Sequence, residues 1–242
     1  MLTGALAQLG GNVMFQFSLG IVGIALAVPL TLGAMILTGA ILGRFVLHEQ
    51  LTWRSVSSMV VLILAIGVLS LGAGEAQASL DALDNALEGE HRFVVAQGVA
   101  AAVLSGVSYA LLGVVIRKSV SGRVPLPTTL FIISVVGAVG LGVMSIARIR
   151  IEGLIETRAV DWQMMVLAGV CNAFAFLALA KSLQLTGVVF VNALNASQVA
   201  MASLAGLVLF NEPLTLPLFF GVLLTGFGLA MMRGRRLRRS RI

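Results

Sequence analysis

The stretch Gly43-Arg-Phe-Val-Leu-His-Glu-Gln-Leu-Thr52 has a second copy further along the chain, Gly206-Leu-Val-Leu-Phe-Asn-Glu-Pro-Leu-Thr215. Gly, Glu, Leu and Thr match between the copies at one constant offset of 163 residues. Each copy closes one apolar segment and opens the next. Gly39 also aligns with Ala202, so a pair of small residues four positions apart recurs, a spacing typical of close helix contact. The chain therefore contains an internal repeat of helical units.

The composition places these units in a membrane. Of the 242 residues, 59% are hydrophobic and only 11% are charged, whereas soluble proteins carry about 25% charged residues. Such a chain has too little polar surface to cover a water-soluble globule, and we expect the lipid bilayer to surround it. The predicted fold class is an all-α polytopic membrane helix bundle of about 8 transmembrane helices.

A bilayer core takes about 20 apolar residues per helix, and dividing the chain on that criterion gives the predicted spans. They are Leu2–Gly20, Ile24–Leu47, Leu51–Leu71, Phe93–Ile116, Leu126–Ala147, Trp162–Leu185, Val188–Phe210 and Leu214–Met232. An acidic linker, residues 73–91, separates the first three spans from the last five. Five spans lie between the two motif copies, so the second copy enters the membrane in the opposite orientation. This is an inverted repeat, an architecture typical of transporters.

Lys and Arg predict the orientation, because basic loops stay in the cytoplasm. Six of the sixteen basic residues lie in the tail, residues 233–242, and the even number of spans puts both termini on one side of the membrane. We therefore expect both termini to be cytoplasmic in a multi-pass protein of the cell membrane. The tail is expected to contact anionic lipid headgroups and no nucleic acid. Association of copies into a homo-oligomer stays open.

The motif Gly-x5-Glu-x-Leu-Thr, followed by the Gly-rich apolar segment Phe220–Met232, resembles the EamA-like family of the drug/metabolite transporter (DMT) superfamily. That family carries two inverted repeats of five helices. By this resemblance, residues 92–232 form a complete second repeat and residues 1–72 only the last three helices of a first. The resemblance implies a secondary transporter of a small metabolite that works by alternating access, with export slightly favoured. The alternative is a non-transporting membrane assembly partner or a truncated, inactive transporter remnant.

Catalytic chemistry has little support in the sequence. Every Asp and Glu falls in a loop or at a helix end, and both histidines lie at predicted membrane boundaries. Cys171 has no second cysteine to pair with, and no metal-ligand cluster, phosphate-binding loop or nucleophile motif occurs. We therefore predict no enzyme activity, no metal site and no cofactor.

Uncharged polar side chains inside the spans are the candidates for a substrate cavity, since polarity in lipid is costly unless it faces protein, water or substrate. Several recur on one face of a helix. The candidates are Gln8, Asn12, Gln16, Gln97, Ser105, Ser108, Tyr109, Asn192, Asn195 and Ser203, with Gln198 at the edge of its stripe and Lys181 as a cation near membrane depth. The competing interpretation is that the amides and hydroxyls only join helices, and that Lys181 extends to the headgroups.

The repeat residues themselves suggest structural roles. Glu49 and Glu212 each lie just before a helix start, where a carboxylate suits the positive end of the helix dipole. Thr52 and Thr215 are predicted N-caps of those helices. The small residues Gly39, Gly43, Ala202 and Gly206 are predicted to allow close helix packing.

Overall fold

The computed structural model describes residues 2–72, 92–120, 125–155, 158–209 and 215–233, and all regular structure in those ranges is helical. The helices are α1 (Leu2–Phe45), α2 (Trp53–Gly72), α3 (Arg92–Val120), α4 (Leu126–Ile155), α5 (Ala159–Leu185), α6 (Val188–Asn195), α7 (Ser197–Leu209) and α8 (Leu216–Arg233). The predicted all-α membrane bundle is confirmed.

Six segments of the described ranges are long and apolar enough to cross a membrane. They are Leu26–Phe45, Trp53–Leu71, Phe93–Val120, Leu126–Ala147, Ala159–Leu185 and Val188–Ala205. The predicted span Leu2–Gly20 is helical but is not among them, and its three amides, Gln8, Asn12 and Gln16, lower its apolar character. The last predicted span is the shorter apolar helix Leu216–Met232.

α1 consists of two arms, residues 2–22 and residues 24–45, joined at Gly23. Gly23 has φ 72° and ψ 171°, a conformation that glycine adopts without the steric cost that a Cβ would add. The first arm runs antiparallel to α3, with Gly4 beside Val115 and Val22 beside Gly98. The second arm runs parallel to α3. The two predicted spans are therefore a hairpin of helices, and α3 packs on both arms.

Hydroxyl groups fix α3 between the arms. Thr31 Oγ1 in the second arm donates to the carbonyl of Ala102 at 3.1 Å, and Ser105 Oγ donates to the carbonyl of Gly11 in the first arm at 2.8 Å. Hydrogen bonds between helices stabilise association in lipid, where apolar burial contributes little. Gly106 lies in the closest part of this contact, against the backbone of the second arm.

α2 and α8, the helices that follow the two motif copies, pack together in opposite directions. Leu69 contacts Gly221, and Leu62 contacts Gly228. Ser58 Oγ donates to the Gly228 carbonyl at 2.5 Å. Their antiparallel directions are those that an inverted repeat requires.

The seventh predicted span, Val188–Phe210, is helical from Val188 to Leu209 with one irregular turn at Ala196, which keeps right-handed helical angles (φ −59°, ψ −27°). α6 ends at Asn195 and α7 begins at Ser197, with Ala196 between them. The N–H of Ala196 bonds to the carbonyl of Ala193 at 3.2 Å, and Ser197 Oγ bonds to the carbonyl of Leu194 at 2.7 Å. These i to i−3 bonds replace the regular helical ladder, because a serine hydroxyl competes for the backbone carbonyl.

Candidate functional site

A cavity of about 420 Å³ lies between both arms of α1 and helices α3, α5, α6 and α7. Within the described ranges, its polar lining is uncharged and consists of Gln8, Asn12, Thr31, Tyr109, Asn172, Asn192, Asn195 and Gln198. The rest of the lining is apolar or glycine and includes Phe15 and Phe176. A concave site with an apolar wall and a few convergent polar groups is the usual form of a small-molecule site.

Asn12 connects the first arm to α3 at the wall of the cavity. Its Oδ1 accepts a hydrogen bond from the Tyr109 hydroxyl at 3.0 Å, and its Nδ2 donates to the carbonyl of Gln8 at 2.9 Å. The structure thus brings together residues from two stripes that the sequence predicted separately. This bond also orients the phenol of Tyr109 beside the cavity.

Asn192 joins α6 to the second arm. It is 4% exposed, and its Nδ2 donates to the carbonyl of Met35 at 3.3 Å. Gly39 leaves the space that this amide occupies, since a Cβ at that position would collide with Nδ2. The small residue at position 39 therefore accommodates a polar side chain from the second half of the chain.

Other amides of the lining have unmet hydrogen-bonding capacity. Gln8 Oε1 is buried without a hydrogen-bond partner. Within the part of the chain that the structure describes, the side chains of Asn172, Asn195 and Gln198 make no hydrogen bond. Gln8 Oε1 itself is enclosed, and the Gln8 amide lies beside Gly137 of α4. Asn172 and Gln198 are exposed and Asn195 is half-buried, so their donors and acceptors are available to a solute or to water.

The remaining candidates lie away from the cavity. Gln16 and Gln97 are exposed, and Ser203 is half-buried outside the lining. Ser105 bonds to Gly11, as described above, and Ser108 Oγ bonds to the carbonyl of Leu104 in its own helix at 2.8 Å. Lys181 is exposed, and its Nζ donates to Gln184 Oε1 at 3.0 Å.

Sequence reasoning missed Thr31 and Asn172 as lining residues. Asn172 could have been found as an amide in the middle of the apolar α5, since such a group is costly in lipid. Thr31 gives no such signal, because a threonine hydroxyl can bond within its own helix.

At one end of the cavity, two charged side chains bond the connection between α5 and α6, one at each helix end. Arg117 Nη1 donates to the carbonyls of Leu183 and Gln184 at 2.6 and 2.8 Å, at the end of α5. Glu49 Oε1 and Oε2 accept the N–H groups of Val188 and Val189 at 2.8 and 3.2 Å, at the start of α6. Each charge lies at the helix end whose dipole it complements. Ile116 and Leu183, beside these groups, line the cavity.

The sequence predicted the Glu49 carboxylate at the start of α2, the next helix in the chain. In the structure it lies at the start of α6 instead. Thr52 fills the position at the start of α2, with Oγ1 accepting the N–H of Ser55 at 3.3 Å, and so Glu49 is free to reach α6. Thr215 Oγ1 similarly accepts the N–H of Leu218 at 3.4 Å. Glu212 lies outside the described residues.

The predicted packing residues differ in their surroundings. A Cβ at Gly43 would lie 2.9 Å from Val189 Cγ2, so this glycine does permit close contact with α6. Ala202 is exposed, and its packing role stays a prediction. The environment of Gly206 lies outside the described side chains.

The molecule is an all-helical membrane bundle with a polar cavity between its helices. The class of protein that fits this arrangement is a membrane transport protein. Residues 96–234 match the EamA-like transporter family, and the protein belongs to that family, which is part of the DMT superfamily. The match covers more than half of the chain, from α3 to the end of α8. Comparison with curated proteins gives no match. The family assignment makes the chain a membrane transporter of small solutes.

Proposed function

We propose that this protein is a secondary transporter that moves a small metabolite across the cytoplasmic membrane by alternating access, with the amide-lined cavity as its substrate site. The observation that carries the proposal is the set of cavity amides without hydrogen-bond partners, on the fold of a transporter family. Asn172 and Gln198 are exposed and Asn195 is half-buried, so a polar solute can reach these amides and satisfy their donors and acceptors. Export is the direction favoured by the family resemblance.

The groups that hold the α5–α6 connection support a gate at one end of the cavity. Arg117 and Glu49 bond the ends of α5 and α6, and an apolar cluster that includes Ile116, Leu183 and Val188 packs behind them. On the orientation that the basic residues predict, this end is cytoplasmic. Opening toward the cytoplasm then requires these bonds to break.

The irregular turn between α6 and α7 supports the same site. It lies at Ala196, directly between the lining residues Asn195 and Gln198. Irregular turns within a helix often act as hinges. We propose that α7 moves relative to α6 when the cavity changes access.

Replacing Asn195 with leucine is expected to lower solute flux by about tenfold, which corresponds to the loss of about 1.4 kcal/mol of interaction with the solute. Tyr109→Phe should lower flux less, since the ring remains and only the bond to Asn12 is lost. Flux into proteoliposomes with equal amounts of inserted protein is the measurement. Ser203→Ala, outside the lining, is the control. Unchanged flux in Asn195→Leu would indicate that Asn195 has a structural role and does not contact the solute.

The orientation can be tested with single cysteines in a Cys171→Ser background. A cysteine at Gln50 should react with a membrane-impermeant thiol reagent only from the cytoplasmic side, and one at Arg158 only from outside. Both positions are exposed, at opposite ends of the bundle. The reverse pattern in intact cells rejects the proposed orientation and, with it, the cytoplasmic gate.

A second candidate function, an assembly subunit, is favoured by one feature of α5. Residues 162–175 of this helix are exposed nearly all round, including the amide of Asn172. We propose that this flank contacts further helices, whether in the same polypeptide or in a partner. Cross-linking from position 171, where the chain has its native cysteine, tests for such a neighbour. Flux by the purified chain alone would favour the transporter over a subunit that requires a partner.

A further inference from the structure

We propose that the cavity selects solutes that bear no formal charge and that carry hydroxyl or amide groups on a partly apolar frame. This inference rests on the proposed transport function and names the substrate class of the same site. It depends on three observations: the chemistry of the lining, the state of the nearby charges and the pattern of unmet hydrogen bonds.

Among the residues that the structure describes, the lining contains no Asp, Glu, Lys, Arg or His side chain. A charged solute in this cavity would exchange its hydration for neutral amides and apolar walls, with no opposite charge to compensate. Burial of an unpaired ion is strongly unfavourable, whereas a neutral polar group loses little when it exchanges water for amide partners. The lining therefore discriminates against anions, cations and zwitterions.

The charged side chains beside the cavity do not supply the missing partner. Arg117 donates to the carbonyls of Leu183 and Gln184, and Glu49 accepts the N–H groups at the start of α6. Lys181 is exposed and bonded to Gln184. A solute that recruited any of these groups would have to break the bonds that hold the helix ends.

The free amides set what the cavity can recognise. Gln8, Asn172, Asn195 and Gln198 come from the first arm, α5, α6 and α7, so their side chains approach the cavity from different helices. Asn172, Asn195 and Gln198 each present both donors and an acceptor, whereas the acceptor oxygen of Gln8 is enclosed. Hydroxyl and amide groups on the solute satisfy such partners in either direction. Phe15 and Phe176 add aromatic surface for an apolar or ring-shaped part of the same solute.

Two series of related solutes that differ in charge test the inference with the full chain. The first is uridine, uridine 5′-phosphate and 5′-amino-5′-deoxyuridine; the second is N-acetylleucinamide, N-acetylleucine and leucine. Binding is measured by the rise in melting temperature of the protein in detergent, and transport by counterflow in proteoliposomes. We expect at least one uncharged member to bind about tenfold more tightly than its charged analogues.

The two measurements separate the inference from the proposed function. Preferential binding of an uncharged member without counterflow overturns the transporter and leaves the substrate class standing. Counterflow of a charged or zwitterionic member, equal to or faster than that of its uncharged analogue, overturns the substrate class and leaves transport standing. Binding of no uncharged member overturns the substrate class.

A charge introduced into the lining provides a second readout. Asn195→Asp is nearly isosteric and places a carboxylate at the cavity, so we expect weaker binding of uridine and tighter binding of 5′-amino-5′-deoxyuridine. Gln97→Glu makes the equivalent change at an exposed position outside the lining and should leave the selectivity unchanged. If the aspartate variant folds and keeps the selectivity of the wild type, position 195 does not determine charge preference and the inference fails.

Discussion

Gly106→Leu is expected to leave almost no folded protein. A Cβ at this position would collide with the backbone carbonyl of Thr31 and lie 2.9 Å from the backbone nitrogen of Met35. Backbone atoms cannot rotate away as a side chain can, so α3 would have to separate from the second arm of α1. Overpacking costs typically about 1–3 kcal/mol in a core that can adjust. Here the separation also breaks the bond from Thr31 to Ala102, so we expect a cost at or above the upper end.

Size-exclusion chromatography and the melting temperature in detergent measure this effect. Gly142→Leu is the matched control, because a Cβ at Gly142 on α4 would meet nothing within 4 Å. We expect that variant to behave like the wild type. A monodisperse Gly106→Leu protein with an unchanged melting temperature would show that α3 and the second arm are not in close contact.

Removal of the Glu49 carboxylate is expected to open the gated end of the cavity. Glu49→Ala leaves the N–H groups of Val188 and Val189 without the bonds that they make in the structure. Hydrogen bonds to charged groups contribute about 1.5–3 kcal/mol each. The loss of about 3 kcal/mol would lower the ratio of closed to open protein by about a hundredfold.

The rate of cysteine alkylation measures this opening. Leu179 lines the cavity, and a cysteine there, in a Cys171→Ser background, should react at least about tenfold faster in Glu49→Ala when the reagent is added on the cytoplasmic side. Gln50→Ala is the control, since Gln50 is exposed and adjacent to Glu49. An equal alkylation rate in Glu49→Ala and the wild type would mean that this carboxylate does not hold the cavity closed.

Hydropathy and helical period predicted much of the bundle. Long apolar runs located the helices, and the four-residue spacing of Gln8 and Asn12 put both on the cavity face of the first arm. The same spacing also selected Gln16, which is exposed. The spacing shows that residues share one face of a helix. It does not show over what length of that face a neighbouring helix packs.

Contacts between distant segments were beyond prediction from one sequence. Glu49 bonds to α6, well over a hundred residues away, instead of the nearby α2. The pairing of Arg117 with the end of α5 is equally non-local. The turn at Gly23 and the irregular turn at Ala196 depend on local backbone geometry that hydropathy does not report.

The central claim is that solute passes through the amide-lined cavity, and modification of a cysteine at position 195 tests it most directly. In Asn195→Cys with Cys171→Ser, flux in proteoliposomes is measured before and after reaction with a bulky thiol reagent. The account predicts that modification abolishes flux and that transported solute slows the modification. Complete modification with undiminished flux would contradict it.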